Sequence, residues 1–186
     1  MGHFKVTTTD MEGLIMIEPK VFKDERGYFM ETYNVRDLKN AGLYASFVQD
    51  NQSKSTKGVL RGLHFQKRRP QGKLVRVVSG TVFDVAVDLR AGSKSFKKWF
   101  GLILSSDNMK QLYIPPGFAH GFLVLSDEAE VVYKCTDYYD PEDEDGIIWN
   151  DPDIAIEWPG DQVVLSVKDA QLGSFEKHRC TIDCLS

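Results

Sequence analysis

The amino-acid sequence predicts a mainly β protein, a jelly-roll sandwich or barrel, on three observations. Short runs rich in Val, Ile, Phe and Tyr recur along the chain, punctuated by Gly, Pro, Asp and Asn. Their turns are evenly spaced, as in sandwiches and barrels, and no solenoid-type repeat interrupts them. Helical patterning is confined to two short segments. The 186 residues suffice for one domain with a real core, and no linker or low-complexity tract divides them.

In chain order, strands are expected at Leu14–Pro19, Tyr28–Tyr33, Ala45–Asn51, Val59–Gln66, Lys73–Ser79, Thr81–Leu89, Lys98–Leu104, Gln111–Ile114, Gly121–Leu125, Glu130–Tyr138 and Ala155–Trp158. Thr81–Leu89 alternates in part, with Phe83, Val85, Val87 and Leu89 on one face and Asp84 and Asp88 on the other. A short helix is expected from Val35 to Ala41, with Asn34 as N-cap and Gly42 as stop. A second helical segment is expected after Asp169.

Composition excludes several classes of function. The net charge of −4 disfavours a general nucleic-acid surface. The one basic cluster, Lys67-Arg68-Arg69, precedes Pro70 and reads as a solvated turn. No run approaches the ~20 apolar residues of a membrane span. The start, MGHFKVTTTDMEGL, lacks a signal-peptide core, so a cytoplasmic location is expected. Cys135, Cys180 and Cys184 form no disulfide framework and fit a reducing compartment. His178, Cys180 and Cys184 lie close in sequence but lack a second ligand pair at finger-like spacing, and read as a surface tail.

RGLHFQ, Arg61 to Gln66, puts one of only four histidines inside an expected strand. His64 could be a metal ligand, a general base or a neutral core residue bonded to backbone. Its surroundings favour the base. Strand alternation puts Gln49 and Asn51 on one face, Lys73 opens an apolar run, and Tyr133 sits within Val131–Cys135. A barrel interior carrying amides, a lysine, a tyrosine and a histidine is costly unless it binds something polar. A histidine titrates near neutrality, and a tyrosine is a complementary acid. Lys73 could hold the oxyanion formed when a proton is taken α to a ketone, and Asp169 is a candidate to orient the base. One geometric obstacle stands out: Arg61 and His64, three apart, point to opposite faces of a regular strand. They can share a site only if Gly62 permits a bulge, or if the site is shared between subunits.

Two glycine-punctuated segments, GLHFQKRRPQGKLVRVVSG and IPPGFAHGFLVL, resemble the two motifs of the cupin superfamily; Pro115, Gly117 and His120 match its Pro-x-Gly turn and histidine. The usual His-x-His pair and glutamate are missing, since Phe65 and Gln66 follow His64. Two imidazoles make a poor metal site. A metal is therefore disfavoured. The stretches EPKVFKDERGYFMETYN, FVQDNQSKS, GVLRGLHFQ, QGKLVRVVSGTVFDVAVDLR, IPPGFAHGFLVLS, YKCTDYYDPEDEDGIIWNDPDIAIEWP and LSVKDA together resemble the dTDP-4-dehydrorhamnose 3,5-epimerase family, roughly from Leu14 to Ala170.

That resemblance implies a cupin-type jelly roll over residues 1–186 and a homodimer to which the N-terminal strands contribute. It also implies cofactor-free epimerisation of dTDP-4-keto-6-deoxy-D-glucose at C3 and C5. His64 resembles the proton-abstracting base, Asp169 its orienting carboxylate, Tyr133 the proton donor and Lys73 the enolate support. Arg26, Glu31, Gln49, Asn51, Arg61, His120 and Lys168 resemble nucleotide-sugar contacts, Arg26 from the partner subunit, and Tyr139 the aromatic that stacks on thymine. The acidic loop Pro141–Gly146 departs from the family form: its glutamate before the glycine corresponds to Asp145 here, so no site residue is expected from it. Competing readings are a relative that epimerises one carbon or moves the ketone, a metal-dependent oxygenase, and a non-catalytic sugar-binding cupin.

Overall fold

The computed structural model describes residues 3–160 and 162–182, with no side-chain description for residues 180–182. Thirteen strands and three short helices follow one another among them. A six-stranded antiparallel sheet has the order β1 (Phe4–Thr8), β2 (Ile15–Pro19), β10 (Gln111–Ile114), β7 (Lys73–Ser79), β12 (Glu128–Cys135), β5 (Gln49–Thr56). A five-stranded sheet has the order β13 (Glu144–Gly146), β6 (Leu60–Gln66), β11 (Phe118–Val124), β8 (Thr81–Asp88), β9 (Trp99–Ser105). A separate hairpin pairs β3 (Val21–Asp24) with β4 (Gly27–Met30).

Three apolar layers hold this arrangement. Between the sheets, Val75, Val77, Leu112, Ile114 and Val131 meet Val82, Ala86, Leu104, Phe118, Phe122 and Val124. The outer face of the five-stranded sheet presents Leu63, Phe65, Val85, Val87 and Ala119 to Ile147, Ile154 and Phe175 from the C-terminal third of the chain. Ile17, Leu74 and Tyr113 on the outer face of the six-stranded sheet are covered by Leu38 of α1 (Val35–Asn40), with Leu43 and Ala45. Each fully buried Val, Leu or Phe contributes roughly 1.5–3 kcal/mol of transfer free energy. Because β8 is covered on both faces, Asp84 and Asp88 are buried among apolar neighbours. Asp88 is fully satisfied there, by Arg90, Ser93 and Ser95.

Asn34 caps α1 through the N–H groups of Arg36 and Asp37, as expected, and Gly42 takes φ +90 just beyond its end. Other expectations need correction. Ala155–Trp158 is not a strand: Ala155 takes φ +52, Asp151 Oδ1 accepts from Asp153 and Ile154, and the Trp158 indole donates to the Trp149 carbonyl. The strand expected at Ala45–Asn51 lies at Gln49–Thr56, where the ladder with β12 overrides a sequence with no apolar residue. The run expected at Tyr28–Tyr33 pairs only from Gly27 to Met30. Three further strands, β1, β3 and β13, lie outside the expected runs; β1 does alternate, with Phe4 and Val6 on its less exposed face. After Ser166 come two helices, α2 (Val167–Ala170) and α3 (Phe175–Ile182). The basic cluster is a solvated turn, as expected, with the Arg68 and Arg69 side chains exposed, and it is anchored from beneath: the buried Asp143 carboxylate accepts from the backbone N–H groups of Arg68 and Arg69 and from Arg68 Nε. His178 pairs with Asp145 (3.2 Å), and Cys184 lies outside the described residues.

Candidate active site

A cavity of about 380 Å³ opens between the two sheets. The six-stranded sheet supplies Gln49, Asn51 and Ser53 from β5, Lys73 from β7 and Tyr133 from β12. The five-stranded sheet supplies Arg61 and His64 from β6, Phe118, His120 and Phe122 from β11, and Glu144 from β13. Tyr139 and Lys168 line it as well. Nine of the twelve expected site residues thus share one cavity. Asp169 does not line it but stands directly behind His64.

Arg61 reaches the site by a bulge at Gly62, one of the two routes the sequence left open. His120 pairs with His64 while Phe122 pairs with Arg61, so β6 carries one extra residue between them. Gly62 sits there at φ +111. A Cβ on it would lie 2.6 Å from the His120 carbonyl oxygen, so only glycine fits. The shift returns Arg61 to the face of His64, and its Nε donates to Ser55 Oγ at 3.0 Å.

His64 is gripped from one side. Its Nε2 lies 2.6 Å from Asp169 Oδ1. Ser166, not Asp169, caps α2, accepting from the Asp169 N–H at 3.0 Å and leaving the Asp169 carboxylate for the imidazole. Burial alone raises the Asp169 carboxyl. The hydrogen bond and charge of His64, with Ser166 and Arg61, outweigh that and hold it below the ordinary carboxylate range. A carboxylate on Nε2 fixes Nε2–H and leaves Nδ1 as the basic nitrogen. Nδ1 lies 3.9 Å from Glu144 Oε1.

Across the cavity, neither Lys73 nor Tyr133 has a side-chain hydrogen bond among the described residues. Burial raises the Tyr133 phenol, which keeps it protonated at neutral pH. Burial lowers the Lys73 ammonium, opposed by Cys135, Glu144 and Asp84. His120 is buried with its Nε2 2.9 Å from Asp84 Oδ2, and burial lowers its pKa against the pull of Asp84. On β5, Gln49 donates to Asn51 Oδ1 and accepts from the Tyr139 N–H, which fixes both amides at the rim.

Arg26 and Glu31 are not brought to this cavity within one chain. Arg26 is exposed in the β3–β4 turn, bonded to Asp24. Glu31 bonds His3 and Asn34. With Asp37 and His3, Glu31 forms the one group of potential metal ligands found among the described residues, and none of the three lines the cavity.

Two contributors escaped the sequence. Glu144 accepts from the Tyr139 hydroxyl at 2.6 Å and from Lys168 Nζ. Burial raises its carboxyl, but Lys168, Tyr139 and His64 outweigh burial and hold it low. Asp145, the residue that precedes the glycine of the acidic loop, points the other way, to Lys67 and His178. Asp84 was visible as an aspartate in an apolar strand, but its link to His120 crosses from β8 to β11 and leaves no local signal.

Two antiparallel sheets enclosing a polar cavity, with an aspartate-oriented histidine facing a tyrosine, define a cupin-type jelly roll equipped for proton transfer. The dTDP-4-dehydrorhamnose 3,5-epimerase family pattern matches residues 8–177. The dTDP-4-dehydrorhamnose 3,5-epimerase of Methanothermobacter thermautotrophicus is 55% identical over 91% of this chain and 93% of its own. That of Pseudomonas aeruginosa is 53% identical over 95% and 98%. The crystal structure of a dTDP-6-deoxy-D-glucose-3,5-epimerase from Legionella pneumophila, in complex with dTDP-4-keto-L-rhamnose, superposes with a TM-score of 0.93 at 50% identity and covers 97% of both chains. The chain belongs to the dTDP-4-dehydrorhamnose 3,5-epimerase family.

Proposed function

We propose that the protein is an isomerase that epimerises dTDP-4-keto-6-deoxy-D-glucose at C3 and C5, giving dTDP-4-keto-L-rhamnose. The observation that carries this reading is the placement of His64 and Tyr133 on opposite walls of one cavity. A base and an acid on opposite faces of a carbon invert it. His64 Nδ1 takes the proton α to the C4 ketone, Lys73 holds the enolate oxygen, and Tyr133 returns a proton from the other side. The Lys73 ammonium and Tyr133 hydroxyl, without side-chain hydrogen bonds among the described residues, suit groups that await a ligand. No step needs a redox cofactor or a metal. Gln49, Asn51, Arg61, His120 and Lys168 hold the nucleotide sugar, and Tyr139 stacks on thymine.

The active form is a homodimer in which the partner subunit completes the site with the residues corresponding to Arg26 and Glu31. The exposure of Phe22, Tyr28 and Phe29 on the β3–β4 hairpin supports a covered surface there. No described helix is long and apolar enough to cross a membrane; a cytoplasmic location suits a substrate made from nucleotide precursors. Turnover in D2O is the test: deuterium enters at both C3 and C5, followed by proton NMR of the product. Label at neither carbon overturns the mechanism, and label at one alone identifies a mono-epimerase.

A further inference from the structure

Inverting a carbon with two groups leaves both spent. After one event His64 is an imidazolium and Tyr133 a phenolate, and neither can act again in the same sense. A double epimerase meets this between its two carbons, with the sugar still in the cavity. His64 must release its proton somewhere other than the substrate.

Among the side chains around His64, one carboxylate is placed to take that proton. Its Nε2 side ends at Asp169, which is 4% exposed and held by Ser166. Its Nδ1, the nitrogen that receives the substrate proton, lies 3.9 Å from Glu144 Oε1, a gap that one water or a small side-chain movement closes. The other oxygen of the same carboxylate, Oε2, accepts from the Tyr139 hydroxyl and from Lys168 Nζ. Both partners stand at the rim, with Tyr139 48% exposed and the Lys168 side chain 57%. One carboxylate therefore spans from the base to solvent.

We propose that Glu144 is the proton outlet of His64, a residue that resets the base between the two epimerisations. The step balances without a co-reactant other than solvent. The Nδ1–H bond of the imidazolium breaks, and its proton passes to a Glu144 carboxylate oxygen. The carboxylic acid then gives that proton to water or a buffer base at the rim. Tyr133 phenolate takes one proton from solvent, so no net proton is gained or lost per carbon. Glu144 acts through His64 and is a positioning and relay residue rather than the base itself. This inference rests on the epimerase reading above.

The experiment uses Glu144→Gln in the full chain, with product labelling in D2O and a titration of a small carboxylate buffer, formate. The relay predicts a fall in kcat of roughly tenfold or more, short of the ~10²–10⁴ of a direct acid or base. It also predicts accumulation of product labelled at one carbon, and recovery of kcat as formate is raised. Glu144→Ala, which vacates the same place, gives a second reading and stronger rescue by formate. Thermal denaturation of both variants identifies any that fails to fold; the folded one carries the test. A variant that raises KM alone, labels both carbons in the wild-type ratio and ignores formate overturns the proposal. Wild type that labels neither carbon overturns the epimerase reading instead, so the two failures are distinguishable.

Discussion

The two ring nitrogens of His64 are not equivalent. Asp169 holds Nε2, so the aspartate sets which nitrogen is basic as well as how the ring is oriented. Asp169→Asn keeps the shape but removes the charge that stabilises the imidazolium, and kcat should fall by ~10²–10⁴ with little change in KM. Steady-state kinetics check this. Lys73 illustrates the opposite pressure. An ammonium with no side-chain hydrogen bond among the described residues, pushed down by burial, costs stability. Lys73→Met should therefore abolish turnover yet raise Tm by about 2–4 °C, the shift expected of about 1 kcal/mol in a chain of this size. Calorimetry beside an activity assay tests both halves.

At the scale of elements, the β6 bulge sets the site. Regular pairing of β6 with β11 would turn either Arg61 or His64 away from the cavity. Gly62→Ala should cost about 2–4 kcal/mol and most of the activity, because the added methyl meets backbone on β11 and not a movable side chain. Denaturant unfolding measures the first and turnover the second. By contrast Asn34→Ala, at the cap of α1, should cost about 1 kcal/mol while removing no side chain that lines the cavity. The sequence made these two features legible in different degrees. Asn34 and Gly42 act within a few residues of the helix they bound, so local reading found them. Gly62 was recognised as the point of conflict, but its resolution depends on the carbonyl of His120, far along the chain. Polar residues in apolar strands revealed His64, Lys73 and Tyr133. Glu144 lies in a loop where acidic residues are ordinary, so nothing local separated it from Asp143, which locks Arg68 and Arg69, or from Asp145.

For the whole molecule, buried titratable groups make stability depend on pH in a definite direction. His120 is held below its ordinary pKa by burial, while an unfolded histidine takes a proton near 6.5. Asp88, Asp143 and Asp169 are held below the ordinary carboxylate range by hydrogen bonds and positive charges that outweigh burial. In each case the unfolded chain binds more protons as pH falls, so stability is present above the unfolded pKa and is lost as pH drops through the folded one. Tm should therefore begin to fall below about pH 6.5 and fall more steeply below about pH 4. A series of melts from pH 7.5 to 3 tests this, and Asp88→Asn should flatten the acid portion.

The strand β5 has a consequence for how far the cavity can be redesigned. It is the outer strand of its sheet in this chain, and its eight residues, QDNQSKST, contain no apolar side chain. One face of it dresses the cavity with Gln49, Asn51 and Ser53, while its free backbone edge looks outward. Polar, lysine-bearing edges resist pairing with other chains. The lining of the cavity and resistance to aggregation are therefore written into the same short stretch. Replacing Gln49, Asn51 and Ser53 with Val or Ile, to admit a less polar sugar, would also build an adhesive strand at the border of a sheet.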